Sequence, residues 1–217
     1  MNDRYIYDER SPSRGFIVVA NLSATRGRPR AFDPDRALAT GEALFHEKGY
    51  EAVGLAALTK AMGINPPSFY AAFGSKAAFF ERVLKRYCAS GLPLEATFLP
   101  GRTAIEAIHE LLANAADRYA ADPSRRGCLV LEAARSAPDG EAASVARAAA
   151  QGRRDTIRAF VAQSHPEMAE AVTDMVVATM SGMSAGAREG WDAGRLSGIA
   201  RIALMGIAAQ LESAAAA

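Results

Sequence analysis

Cysteine, tryptophan and histidine are scarce in this chain, and each scarcity removes a class of function. The two cysteines, Cys88 and Cys128, are too few for a disulfide framework and lack the paired spacing of a zinc site. They leave open a redox role, against the plainer reading of two small buried hydrophobes. The three histidines, His46, His109 and His165, fall in three separate segments. We therefore expect neither a metal nor a cofactor. Zinc-protease, P-loop and dinucleotide-binding signatures are absent, which takes away the commonest routes to an enzyme. No apolar run approaches the ~18 residues that span a bilayer. The short run 16–20 is too small for a signal-peptide core, and Asp8 and Glu9 stand where basic residues would be needed. The expectation is a cytoplasmic protein with no membrane partner. Aromatic residues make up 7% of the chain. β-branched residues are also sparse and alanine is plentiful, which favours helices over sheets.

What is present is organised around the stretch 54–76. Leu55, Leu58 and Met62 recur at helical spacing, and Gly63 follows where a helix can stop in the left-handed conformation. Asn65 is placed to cap a second helix. Pro66 and Pro67 fall at its first positions, where a missing N–H costs nothing. Phe69, Tyr70 and Phe73 follow, and Gly74 ends the run. Two short helices, 55–62 and 66–73, joined by Gly63-Ile64-Asn65 make a helix-turn-helix. Upstream, Asp33-Pro34 opens a helix that Gly49 ends. Downstream, Ser75 caps a helix carrying Phe79, Phe80, Val83, Leu84 and Tyr87 on one face.

The charge is distributed unevenly. Residues 26–90 hold ten Lys/Arg against six Asp/Glu, a balance of +4, whereas 91–217 hold twelve against fifteen, a balance of −3. A basic head on a mildly acidic body suits polyanion binding. Ahead of the first helix lies a basic arm, Arg26-Gly27-Arg28-Pro29-Arg30. Its Arg28 and Arg30 are candidates for the minor groove of DNA, where the potential is most negative. Residues 1–25 read as a loosely attached leader. Lys76 sits in the first turn of a helix, an unfavourable place for a cation unless a phosphate joins it there. Its removal is therefore expected to weaken DNA binding without harming the fold.

The segment from 26 to about 87 resembles the DNA-binding domain of the TetR family of transcriptional regulators. The matching pieces are RGRPRAFDPDRALATGEALFHEKGYEAV, then LAALTKAMGI, then PPSFYAAFGSKAAFFERVL. The resemblance covers under a third of the chain. It implies that Asn65, Pro66, Ser68, Tyr70 and Ala72 face DNA from the second helix of the motif, with Lys76 on a phosphate. Many relatives carry Ser or Thr just before the first helix of the motif, where this chain has Gly54. There the phosphate contact would fall to a backbone N–H.

The resemblance further implies an all-α fold of about nine helices: a three-helix head, 26–91, joined by a fourth helix to a bundle, 102–217, for ligand binding and dimerisation. Within the body, helices are expected over 103–121, 126–137, 141–164, 167–190 and 196–212. His109, Tyr119, Met168 and Trp191 are the candidates to line a pocket for a small apolar effector. Met180, Met183, Ile202 and Met205 are those for the interface with a second copy. The implied protein is a homodimeric, ligand-released repressor on a pseudo-palindromic DNA operator. A DNA-binding architectural protein without a discrete operator and an all-α enzyme are the alternatives.

Overall fold

The computed structural model describes residues 33–92, 94–135 and 140–215, so the leader and the arm bearing Arg28 and Arg30 lie outside the described residues. Every regular element among the described residues is helical. Helix α1, Pro34–Lys48, starts where Asp33 Oδ1 accepts from the backbone N–H groups of Asp35 (3.0 Å) and Arg36 (3.3 Å). Helix α2, Leu55–Met62, and helix α3, Pro66–Phe73, flank a turn in which Gly63 takes φ 68°. A side chain there would be strained. Asn65 Oδ1 accepts from Ser68 N–H at 2.9 Å, so the cap expected from the sequence is in place. Helix α4, Lys76–Ser90, is capped in the same way by Ser75, whose Oγ accepts from Ala78 N–H at 3.0 Å.

These four helices close on an aromatic cluster. Phe45 lies 5.0 Å from Phe80 and 6.0 Å from Phe79, and Phe79 lies 4.6 Å from Phe73, measured between ring centres. Gly41 permits the approach of α4 to α1, since a Cβ there would fall 2.4 Å from the Phe79 ring.

The body begins with a single turn, α5, Leu94–Thr97, followed by α6, Ala104–Ala120. Thr103 and Glu106 satisfy each other's backbone N–H groups at the start of α6. Then come α7, Leu129–Arg135, α8, Glu141–Val161, α9, Ala169–Arg188, and α10, Ala193–Ala215. The described residues thus hold ten helices; α5 is the one the sequence did not announce. Helix α7 starts later than expected because Gly127 takes φ 79° ahead of it. Helix α10 starts earlier because Asp192 Oδ1 accepts from Arg195 N–H at 2.8 Å, so the helix runs through Gly194.

Helix α10 packs on α6 and α9, and α7 packs on α8. The aromatic core of the head does not end at α4. Leu129, Val130 and Ala133 of α7 and Ala142 and Ala146 of α8 belong to the same buried cluster as Phe45 and Phe80. Buried packing among the described residues therefore continues past 91–102, the expected boundary. No helix among the described residues is long and apolar enough to cross a membrane.

Candidate nucleic-acid interface

Helix α3 has two unlike faces. Phe69 and Phe73 are buried in the aromatic cluster, whereas Tyr70 is 52% exposed. Asn65, Pro66 and Ser68 are exposed as well. Four of the positions expected to meet DNA are thus open to solvent. That surface is poor in hydrogen-bonding side chains, so much of any sequence preference must come from backbone contacts and DNA shape. Gly54 is exposed at the start of α2, with no side-chain cap.

Two cations of α4 brace the head, and for one of them the structure corrects the expectation. Lys76 Nζ donates to the Tyr50 carbonyl at 2.7 Å and lies 3.8 Å from the centre of the Tyr50 ring. It ties the start of α4 to the turn after α1. Burial pulls the Lys76 ammonium below its usual range, while Glu51 opposes the shift. The expectation that Lys76 could be removed without harm to the fold is therefore corrected, because it supports the fold whether or not it meets phosphate. Arg82, not singled out in the sequence, donates to the Ala72 carbonyl at 3.2 Å and sits 5.6 Å over the Phe73 ring. It places a positive charge at the C-terminal end of α3, where the helix dipole favours one.

In the body, a small pocket of about 60 Å³, partly open to solvent, lies between the end of α4 and helices α6, α7, α8 and α9. Tyr119 lines it, as expected. His109, Met168 and Trp191 do not. His109 is exposed on α6, and Met168 packs at the start of α9. Trp191 covers Gly186 and carries Arg195 3.7 Å above its ring. Both cysteines line the cavity instead. Burial pushes the Cys88 thiol above its ordinary value despite the neighbouring Arg153. At neutral pH it is therefore protonated, the less reactive form.

The four residues proposed for a dimer interface divide. Ile202 and Met205 are 67% and 62% exposed on α10. Met183 is fully buried within the subunit, and Met180 is buried and lines the cavity. Those two are corrected to core positions, on the side of α9 that faces α6 rather than the outside.

One motif was passed over in the sequence. Gly182-Met183-Ser184-Ala185-Gly186 has the spacing of a hydrolase nucleophile turn, but that motif needs a strand-to-helix corner. Here it lies within α9. Ser184 is fully buried, donates to Glu132 Oε1 at 2.9 Å and accepts from Cys128 N–H at 2.9 Å. It is a structural serine. Among the described residues no group of three or more His, Cys, Asp or Glu side chains could hold a metal ion.

A helix-turn-helix head with an exposed second helix, carried on an all-helical body that encloses a cavity, defines a DNA-binding regulator of transcription. A model of the bacterial regulatory proteins of the tetR family matches residues 37–83. The HTH-type transcriptional repressor BdcR of Escherichia coli (strain K12) is 41% identical over 188 residues, covering 86% of this chain and 95% of BdcR. ComR, another HTH-type transcriptional repressor of that strain, is 30% identical over 191 residues, covering 82% and 90%. A cysteine mutant of the TetR-family regulator CifR, complexed with 26 bp double-strand operator DNA, superposes with a TM-score of 0.73 at 34% identity, covering 82% of this chain and 98% of that one. The chain belongs to the TetR family. It is a transcriptional regulator and not an enzyme.

Proposed function

We propose that this protein is a repressor that binds a pseudo-palindromic operator as a homodimer and leaves it when a small molecule enters the cavity of the body. It acts in the cytoplasm, on the chromosome. The observation that carries the DNA reading is the exposed face of α3, where Tyr70 stands out from a helix otherwise anchored by Phe69 and Phe73. CifR, similar over most of this chain, has been seen on operator DNA. Self-association is supported by the apolar surface of α10 around Ile202 and Met205, which the described residues leave uncovered. Asn65, Pro66, Ser68, Tyr70 and the backbone at Gly54 make the DNA surface, with Lys76 and the arm residues Arg28 and Arg30 on the sugar-phosphate backbone.

Selection of bound fragments from genomic DNA with the purified protein tests this reading. The recovered site should carry a dyad with half-sites about one helical turn, or a multiple of it, apart. Affinity should fall steeply with salt. A footprint without a dyad, or binding indifferent to salt, contradicts the proposal.

A further inference from the structure

The cavity is apolar over most of its wall but is electrostatically one-sided. Arg118 of α6 and Arg153 of α8 line it, and among the described residues no carboxylate does. Arg154, the third arginine at its edge, is already engaged by Glu170 and Asp174. Arg118 and Arg153 have no carboxylate within ion-pairing distance among the described residues. They turn instead to the backbone: Arg153 donates to the Leu92 carbonyl at 3.2 Å, and Arg118 reaches the Ser90 carbonyl at 3.5 Å. Both acceptors lie where α4 runs out.

A second observation points into the same space. Tyr119 is fully buried and, among the described residues, its hydroxyl has no partner better than the weakly bonding Cys128 thiol. Leaving such a group unpaired is costly, and a ligand atom is one remedy. The field of the two arginines reaches the titratable groups around it. Arg153 acts on Cys88 and Tyr119, and Arg118 on Tyr87, in each case favouring the anionic form.

From these placements we infer that the cavity is built for a small organic anion, a carboxylate on an apolar body. Its charged head meets Arg118 and Arg153, Tyr119 donates to it, and Leu111, Ile157 and Met180 enclose the remainder. This rests on the effector reading above and narrows it from apolar molecules in general to weak acids. A carboxylate is a stronger acceptor for a guanidinium than a peptide carbonyl is. The bound acid therefore draws the two arginines off Ser90 and Leu92. The last turn of α4 then loses these two ties while its buried face stays packed on α7 and α8, and α4 is the helix whose other end follows the DNA-reading pair.

The test uses the full chain with naphthoate and octanoate, each set against its own primary amide. Binding is read by thermal shift and by titration calorimetry, and operator release is read separately. Each acid should bind at least about tenfold more tightly than its amide, the ratio that one charge-assisted hydrogen bond supplies. Arg118→Gln and Arg153→Gln should each erase most of that ratio, weakening the acid far more than the amide. Arg118→Lys and Arg153→Lys should keep part of it. Acids and amides that bind equally, or acids that bind neither more tightly nor at all, overturn the inference in the wild-type protein, even if a variant fails to fold. A preference for acids that survives both Gln variants overturns it as well. Failure of the protein to bind operator DNA contradicts the repressor reading alone, because the thermal shift does not depend on DNA. Operator binding without any preference for acids contradicts the anion site alone.

Discussion

Arg188, the last residue of α9, donates from Nη2 to the backbone carbonyl of His46 at 3.3 Å, joining the body to the first helix of the head across 142 positions of sequence. The same guanidinium lies 3.5 Å from Glu132 of α7, which accepts from Ser184. A charged donor to a backbone carbonyl contributes about 1.5–3 kcal/mol when buried, and less here because Arg188 is partly exposed. Arg188→Gln should lower stability by about 1 kcal/mol in urea unfolding. Its larger effect should be on coupling: the variant should bind operator nearly as well as wild type yet respond weakly to effector. Equal loss of both properties would mean that the contact only holds the fold together.

His46 itself gives the protein a pH dependence. Burial, then the nearby charges of Arg188 and Arg125, pull it from the ordinary 6.5 down to about 4. Between those values the unfolded chain takes up a proton that the folded chain refuses. Stability is thus complete above about pH 6.5 and is lost as pH falls toward 4, by on the order of 3 kcal/mol over the whole window. Urea midpoints for wild type and His46→Gln at several pH values check this. The slope between pH 4 and 6.5 should be much flatter in the variant.

Lys76→Ala should now show two effects. Loss of the Tyr50 carbonyl bond and the contact with its ring should cost about 1 kcal/mol of stability. If the ammonium also meets phosphate in the complex, operator and random DNA should weaken alike and the salt slope should drop by about one. Ser68→Ala, on the exposed face of α3, should instead weaken operator more than random DNA if its hydroxyl reads a base. Salt titrations on both DNAs separate a structural lysine from a phosphate-binding one.

Ile202→Glu or Met205→Glu should yield a folded monomer. Both side chains are largely exposed in the subunit, so the change leaves its core intact while burying a charge in any pair. Sedimentation should show the monomer, with helical circular dichroism kept and operator affinity lost. A dimer of undiminished stability would place the interface elsewhere. The same change at Met183 would unfold the subunit and is no probe of association.

The local features of this fold were legible in the sequence. Caps at Asp33, Asn65 and Ser75 act over two or three residues, so their residue types announced them. The apolar spacing of α4 showed which residues face inward, whereas in α3 it did not separate Tyr70 from Phe69 and Phe73, and the resemblance alone turned Tyr70 outward. What lay beyond reach depended on chain segments meeting in space. Nothing near Lys76 in sequence announces Tyr50, 26 positions away, or Arg188 beneath His46. Helices α9 and α10 are dense in small and apolar residues on several faces, so periodicity did not distinguish a core Met183 from an exposed Ile202. Helix α5, one turn long, is too short to show a period.

The buried cluster that runs from Phe45 and Phe80 into Leu129, Val130 and Ala142 bears on how far this protein can be treated as interchangeable parts. Cutting the chain after α4 would bare one side of an aromatic core, so the head expressed alone should be sticky and poorly folded. A chimera that grafts this head onto a relative's body inherits the same demand: the recipient's equivalents of α7 and α8 must present matching small side chains. Sensors assembled from this protein should therefore be joined through that contact, not through the connecting loop.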